Sequence, residues 1–393
     1  MRPVKPCRTP LASLLTLLSF TAIAPAASVW TGAVDSNYNT AGNWTPSGMP
    51  GVGTDVEILS GTANIPSGNW SRNGSGYTTI GGTAAVNLTT GSARLVNFGV
   101  FNMQGGNFTQ TGEYFLVGSG GVGTMNHSGG TITSTLSRGF QLSDNNINQS
   151  GTVYNLSGTA SLVVKSTATF TDANLRGVWF GKGGESGGNA SVPIGTATGD
   201  IFHATGGSAS FTRTGTNSSE VRISRNSGLV IDAGAVSFNN YSEFRVGQGA
   251  SGGTNARIVV NGGTLDITGL TTLYLGESDS GLLDISGGTT TLAGLLSLGR
   301  AGFSGAGTVN MDGGSLSVGD IAMVNGIFHF DGGDLYLNGD KTGLISQTWF
   351  DGAEGTTASF DGTVTHVYVV PEPSVAVLLL GCAGLAGLRR RRI

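Results

Sequence analysis

Apolar and polar residues alternate in short runs along most of the chain, and turns rich in small residues separate the runs. Leu265 and Ile267, for example, alternate with Thr264, Asp266 and Thr268. Such alternation predicts a β-strand with one buried face, because successive side chains of a strand point to opposite sides. The chain as a whole is therefore predicted to be all-β, with many short strands joined by tight turns.

A glycine pair followed by alternating residues recurs along the chain. The pairs are Gly81-Gly82, Gly105-Gly106, Gly129-Gly130, Gly206-Gly207, Gly262-Gly263, Gly287-Gly288, Gly313-Gly314 and Gly332-Gly333. Four of the seven intervals between consecutive pairs are 24 to 26 residues, and degenerate copies at Gly158 and Gly234 fall in the two longest gaps. Between pairs lie an apolar-x-apolar-Gly unit, as at 273–276, and a further short strand, as at 282–286. One repeat therefore contains three short strands and three turns.

Repeats of this form predict a β-solenoid, in particular a right-handed parallel β-helix. A single coil cannot bury its apolar side chains alone, so successive coils must stack. About eleven coils of roughly 25 residues between residues 60 and 345, at ~4.8 Å per coil, would form a rod on the order of 50 Å long. Glycine is expected at the corners because the chain turns there in one or two residues, often with φ above zero.

Changes in this pattern divide the chain into five predicted segments. They are a signal peptide at 1–27, an N-terminal β cap at 28–60, the solenoid at 61–345, C-terminal cap strands at 346–369 and a sorting tail at 370–393. The N-terminal cap lacks the repeat and contains Trp30 and Trp44. Both caps are expected to cover strand edges that would otherwise be open.

Composition excludes several other classes of protein. Glycine supplies 68 of the 393 residues, which disfavours long helices because a helical glycine costs about 1 kcal/mol relative to alanine. Ten scattered prolines cannot support a collagen helix. Disorder is disfavoured because Phe, Leu, Ile and Val recur at short intervals. Cys7 and Cys382 both lie in the end segments, so the body between them has no disulfide and no thiolate ligand.

The body of the chain is more acidic than the whole. The whole chain has a net charge of −4, but residues 28–373 contain 13 basic and 24 acidic residues, a net charge of −11. Apart from Arg213, Arg222 and Arg225, the basic residues of the body do not cluster. No nucleic-acid partner is therefore predicted.

The N-terminus has the three parts of a secretory signal peptide. Arg2, Lys5 and Arg8 precede an apolar run over 11–23, and small residues ending at Ala27 follow. The apolar run is short for a membrane span. We expect cleavage near Ala27; a retained N-terminal anchor is the alternative.

The C-terminal segment also has three parts. They are the triplet Pro371, Glu372 and Pro373, an apolar run over 375–388, and the basic group Arg389, Arg390, Arg391 and Arg392. The apolar run, predicted as a transmembrane-like helix, would extend only ~21 Å against the ~30 Å of a bilayer core. The arginines would hold its C-terminus on the cytoplasmic side.

This tail resembles the PEP-CTERM sorting signal of Gram-negative bacteria, and the resemblance covers residues 371–393. In that family a membrane-embedded exosortase cuts near the Pro-Glu-Pro triplet, and the proteins are secreted or surface-bound in association with extracellular polysaccharide. The resemblance implies exosortase and the secretion machinery as partners, extracellular polysaccharide as a further partner, and transient anchoring in the membrane. A plain tail anchor is the alternative. The repeats are also similar to the autotransporter-associated β-strand repeat.

Acidic residues are the first candidates for chemistry, because polysaccharide-cleaving β-helix enzymes use aspartates on neighbouring coils. The candidates are Asp266, Asp284, Asp312, Asp331, Asp334 and Asp340. Asp312 and Asp331 directly precede glycine pairs, where aspartate commonly caps a turn. Structural roles are therefore favoured over catalytic ones.

Histidines are the second candidates, because His127, His203 and His329 each lie two or three residues before a glycine pair. Stacking at ~4.8 Å per coil would place them ~15 Å or more apart, so they are not expected to share a metal. The sequence predicts no catalytic residue, no metal site and no cofactor.

These observations predict an exported, non-catalytic structural protein of the cell surface or extracellular matrix that is processed by an exosortase-type system. The alternative is a polysaccharide-binding adhesin or a polysaccharide-active β-helix enzyme, with a groove that exposes Trp179, Tyr241 or Tyr274. Three or more Asp, Arg or Lys side chains converging in a cleft on adjacent coils would favour the alternative.

Overall fold

The structure is a computed structural model. It describes residues 26–66, 68, 70–89, 94–119, 121–143, 151–167, 177–181, 199–215, 219–224, 226–248, 256–269 and 272–370, except the side chains of 72–75. The predicted apolar helix at 375–388 and the residues of the sorting motif lie outside this part of the chain, as does most of the predicted signal peptide. Within the described part, no apolar helix reaches membrane-spanning length.

The chain is all-β, as predicted, and forms a β-solenoid of about 11 turns with about 25 residues per coil. The strands of the first half are β1 (Ser28–Trp30), β2 (Trp44–Thr45), β3 (Val56–Ile58), β4 (Thr62–Ile65), β5 (Trp70–Ile80), β6 (Ala85–Leu88), β7 (Arg94–Val117), β8 (Thr124–Leu142), β9 (Val153–Leu156), β10 (Ser161–Ser166), β11 (Val178–Phe180) and β12 (Ile201–Arg213).

The second half continues the same arrangement. Its strands are β13 (Glu220–Ser224), β14 (Gly228–Asn239), β15 (Glu243–Gln248), β16 (Ala256–Val260), β17 (Thr264–Thr268), β18 (Thr272–Leu275), β19 (Gly281–Ile285), β20 (Thr289–Leu298), β21 (Gly307–Met323), β22 (Gly326–Asn338), β23 (Phe350–Gly352), β24 (Thr356–Phe360) and β25 (Val364–Val369). Short 3₁₀ helices occur at Ala41–Asn43 and Thr342–Ser346.

Each full coil contributes to three parallel ladders of hydrogen-bonded strands. In β7 the first ladder passes through residues 100–103, the second through 107–112 and the third through 114–117, and all three segments pair in parallel with β8. The first two registers continue coil by coil to β22, and the third continues to β21. Each side chain therefore has a counterpart one coil away, which produces long columns of aligned residues.

The glycine pairs lie at corners of the coil. The second glycine of all eight pairs has φ between +56° and +84°, as do the degenerate copies Gly158 and Gly234. The predicted positive φ is therefore confirmed. The separation into short strands is only partly found, because β7, β8 and β21 continue through their corners with a local shift of register.

Alternate residues of every ladder point into the coil and form one continuous apolar core. In the first ladder the inward column contains Phe101, Met125, Tyr154 and Phe202, each fully buried. The largest side chains among the described residues that are under 2% exposed are mostly Phe. Burial of this apolar area is the main force that holds the coils together.

Both ends of the stack depart from the parallel pattern. At the N-terminal end β1 pairs in parallel with β3 and antiparallel with β2, and Trp30, Tyr38 and Trp44 pack edge-to-face or stacked at 4.9–6.4 Å. At the other end β25 runs antiparallel to both β22 and β24. These antiparallel strands occupy the hydrogen-bonding edges that another chain would otherwise use.

Candidate functional site

A column of polar and aromatic side chains follows the outer face of the third ladder. Trp179, Arg222, Arg245 and Tyr274 stand opposite one another on β11, β13, β15 and β18. Residues two apart on a strand share a face, so Glu220 and Glu243 lie on the same side as the arginines that follow them. The parallel register thereby collects charged residues that are far apart in sequence.

Three arginines and three glutamates in this region form one ion-pair network. Arg245 Nε lies 2.6 Å from Glu243 Oε2 and 3.2 Å from Glu220 Oε2, and Arg222 pairs with Glu220. Arg300 Nη1 lies 2.8 Å from Glu277 Oε1, which is also 3.6 Å from Arg245 Nη1. We name these six residues the Arg-Glu ladder.

The Arg-Glu ladder is largely withdrawn from solvent. The side chain of Glu277 is 3% exposed and those of Arg222 and Arg245 are 16% and 17% exposed. Burial by itself lowers the pKa of Arg245, but Glu220, Glu243 and Glu277 together raise its pKa above the ordinary value. Three positive and three negative charges therefore stabilise one another here, in an arrangement that links neighbouring coils.

Aromatic rings flank the Arg-Glu ladder. The Arg222 guanidinium carbon lies 4.3 Å from the centre of the Trp179 ring, and that of Arg300 lies 4.7 Å from Tyr274 and 5.2 Å from Phe303. These are favourable cation–π distances. The rings therefore contribute to holding the arginines in place.

The alternative prediction named three aromatic side chains as exposed in a groove, and that exposure is wrong for two of them. Trp179 is 0% exposed and Tyr241 is 1% exposed, whereas Tyr274 is half-buried under Arg300. Period-2 alternation places Trp179 on the outer face, as expected, but neighbouring groups such as Arg222 cover it. Trp179 and Tyr241 therefore have no exposed ring face on which a sugar ring could stack.

Sequence reasoning missed the Arg-Glu ladder. Its signal was present as a repeated Glu-apolar-Arg-apolar pattern at Glu220–Ile223 and Glu243–Val246. The pattern becomes visible only when the strands are aligned by register, because the two copies are 23 residues apart in sequence and meet through the parallel pairing of β13 and β15. Glu277 and Arg300 lie just after strands, outside the alternating pattern, and only the fold brings them in.

The aspartates that the sequence singled out are divided between two ladders and a turn. Asp266 faces outward in the second ladder, and Asp284 faces outward in the first, where burial and the charge of Asp312 raise its pKa. Asp340 Oδ1 accepts hydrogen bonds from the backbone and hydroxyl of Thr342, so it caps a turn.

The remaining candidates are also dispersed. Asp312 and Asp331 are exposed beside their glycine pairs, and Asp334 Oδ1 lies 2.7 Å from Nε2 of His366 on β25. The six aspartates therefore do not assemble into one site. The described residues contain no group of three His, Cys, Asp or Glu side chains suited to a metal ion.

The three candidate histidines do not occupy equivalent positions. His127 faces the core, where its Nδ1 lies 2.9 Å from the Tyr154 hydroxyl and burial lowers its pKa to about 4. His203 and His329 face outward and pair with Asp232 and Asp351 at 2.7 and 2.9 Å. A shift of one residue relative to the ladder reverses the direction of the side chain, which explains the difference.

A buried carboxyl group that the sequence did not single out lies between two coils. Asp200, directly before β12, is 5% exposed, and its Oδ1 accepts a hydrogen bond of 3.0 Å from the backbone of Thr152. Burial raises its pKa to about 7, although hydrogen bonds from Thr152, Ser143 and Gly151 oppose the rise. Asp200 therefore titrates near neutral pH.

Asp200 is expected to make the fold less stable as the pH rises from about 4 to about 7. In this window the folded chain holds a proton that the unfolded chain, with a pKa near 3.8, has already lost. Asp200→Asn removes that difference, so the variant gains stability relative to the wild type on going from pH 4 to pH 8. Urea denaturation measured across this range checks the result.

Asp361→Asn is the matched control for the Asp200 prediction. Asp361 is exposed, and hydrogen bonds from the backbone of Val364 and Thr363 lower its pKa. Its contribution is present above the unfolded pKa and is lost only as the pH falls into the acid range. Profiles of the wild type and Asp200→Asn that stay parallel from pH 4 to pH 8 would contradict the assignment.

Of the residues predicted as the signal cleavage site and the sorting motif, the described part of the chain contains only Ala27. Ala27 is half-buried and directly precedes β1. Pro371, Glu372, Pro373 and the four arginines at 389–392 lie outside the described residues. Comparison of the chain with protein-family models, with curated proteins and with solved structures finds no match.

Proposed function

We propose that this protein is an exported, non-catalytic structural rod of the cell surface or extracellular matrix, released or attached after exosortase-type processing of its tail. The observation that carries the proposal is the unbroken stack of parallel coils from β3 to β22. At ~4.8 Å per coil, this stack gives a stiff body on the order of 50 Å long.

Side chains on the outside of the stack support a mechanical role. Asn126 donates to Asn102 at 3.0 Å and Asn155 donates to Asn126 at 2.9 Å, so three amides form a continuous chain of hydrogen bonds along the first ladder. The Arg-Glu ladder links later coils in the same direction. Both features connect neighbouring coils, and each charged residue of the Arg-Glu ladder has an ion-pair partner within the protein.

The ends of the chain support export. A basic and apolar N-terminus ends at Ala27, one residue before β1 begins. The tail from Pro371 begins directly after Val370, the last described residue. Cleavage at both places would remove the predicted signal peptide and the sorting tail and leave the strands of the solenoid intact.

Mass spectrometry of the extracellular fraction tests the proposed processing. In a host with an exosortase, the mature protein is expected to begin near Ser28 and to lack the peptides that contain Arg389–Arg392. Glu372→Ala is expected to reduce release at least tenfold and to leave the tail attached in the membrane fraction. Ser374→Ala, next to the triplet, is the control and is expected to be released normally.

Two outcomes would overturn the proposal. Intact tail peptides through Arg392 in the released protein would exclude processing of the tail. Release of shorter sugars from the host's extracellular polysaccharide by the purified mature protein, under conditions where boiled protein releases none, would exclude the non-catalytic role.

A further inference from the structure

Arg257 is a half-buried cation on the outer face of the first ladder. On the neighbouring strands of that ladder it stands opposite Gly228 and Leu282, neither of which is charged. Its side chain makes no ion pair or hydrogen bond with any residue in the described part of the chain. Asp284, two residues after Leu282, also makes no ion pair with it.

Arg257 differs in this respect from Arg245, which is buried to a similar degree. Three glutamates surround Arg245 and raise its pKa, whereas burial lowers the pKa of Arg257. A guanidinium taken partly out of water without a carboxylate or phosphate partner loses hydration without compensation. An anionic ligand would supply the missing partner.

A pocket of about 250 Å³ lies next to the Arg257 side chain. Leu282 gives it an apolar wall, and Ser280, Thr308 and Asn310 add two hydroxyl groups and an amide. The volume is slightly below the ~300–1,000 Å³ of pockets for drug-sized ligands. It therefore suits a ligand of about one six-membered ring.

Gly228 leaves space for the Arg257 side chain beside this pocket. A Cβ atom on Gly228 would lie 3.2 Å from Cγ of Arg257 and 3.3 Å from Cδ1 of Ile201. Because glycine has no Cβ, the aliphatic stem of Arg257 can lie against the previous coil. The stem is thus held from one side, which reduces the conformational freedom that the guanidinium would lose on binding.

We propose that this pocket binds a sugar ring that carries a carboxylate, with the carboxylate on Arg257. Arginine matches a carboxylate with two parallel N–H donors, which fixes the orientation of the bound group. Ser280, Thr308 and Asn310 offer donors and acceptors for ring hydroxyls, and Leu282 offers a surface for the C–H face of the ring. The site goes beyond the proposed rod and does not depend on how the tail is processed.

Calorimetric titration of the full chain with glucuronate tests the site, with glucose as the neutral analogue. Glucuronate is expected to bind at least tenfold more tightly than glucose. Arg257→Gln is expected to weaken glucuronate binding at least tenfold, and Thr308→Val is expected to weaken it severalfold. Lys165→Gln removes one exposed positive charge from β10 and is expected to leave binding unchanged.

Further ligands distinguish the sources of the carboxylate. A glucuronate trisaccharide that binds more tightly than the monosaccharide supports the site and indicates units within a polymer, whereas equal binding supports the site for free sugars or chain ends. Cyclohexanecarboxylate binding as tightly as glucuronate would overturn the assignment to a sugar. Unchanged glucuronate binding by Arg257→Gln, with hydrogen exchange on β16 as in the wild type, would overturn the role of Arg257.

Discussion

Gly130→Ala is expected to destabilise the solenoid by about 3–5 kcal/mol, through backbone strain and a steric clash that act together. Gly130 has φ of +75°, where an L-residue is strained. A Cβ atom there would also lie 2.5 Å from the backbone carbon of Gly105 and 2.5 Å from the oxygen of Gly106. These atoms belong to the backbone of the previous coil and cannot rotate away.

Gly339→Ala separates the two causes. Gly339 has nearly the same φ, +76°, but a Cβ atom there would meet nothing within 4 Å. Its substitution is expected to cost only about 1–2 kcal/mol, the strain alone. Chemical denaturation and hydrogen exchange on β7 and β8 measure the difference. Equal losses at the two positions would show that contact between stacked corners is unimportant.

Phe140→Ala is expected to destabilise the fold by about 3–5 kcal/mol, because it leaves a cavity in a closely packed aromatic cluster. Phe140 is 0% exposed in the third ladder. Five aromatic rings lie with centroids 5.1–6.4 Å from its own: Phe115, Tyr154, Phe180, Phe202 and Phe211. These rings come from several coils, so the loss is expected to extend beyond the coil that carries the substitution.

Phe360→Ala is the control for the aromatic cluster. Phe360 on β24 is 40% exposed, and its truncation is expected to cost less than about 1 kcal/mol. Thermal unfolding of the two variants measures the contrast, and hydrogen exchange on β8 and β12 shows how far the loss spreads. A Phe140→Ala variant as stable as Phe360→Ala would contradict a closely packed core.

The fold was predictable because its signals are local and repeated. The spacing of the glycine pairs gave the length of a coil, and alternation gave the inward column of residues such as Leu265, Ile267 and Leu335, all buried. The positive φ of Gly130 and its equivalents follows from the same need to turn in one or two residues. Each of these features depends on residues that are close in sequence.

The sites were not predictable in the same way. His127 and His203 lie at similar distances from a glycine pair, yet one faces the core and the other the solvent. The alternative interpretation expected Trp179 to be exposed in a groove, but Arg222 covers it. A one-dimensional pattern assigns a residue to a face but does not report what the neighbouring coil places over it.

The amino-acid sequence by itself determined the class of fold, the coil length and the corner glycines, because periodic alternation and glycine spacing are properties of single segments. Only the tertiary structure decided which side chains meet across coils. Three glutamates lie close enough to Arg245 to raise its pKa, whereas no acidic residue acts on Arg257 in this way, although both are outward-facing arginines on short strands. The physical reason is that the register between coils selects the partners of each charge, and that register is a property of paired strands rather than of one segment.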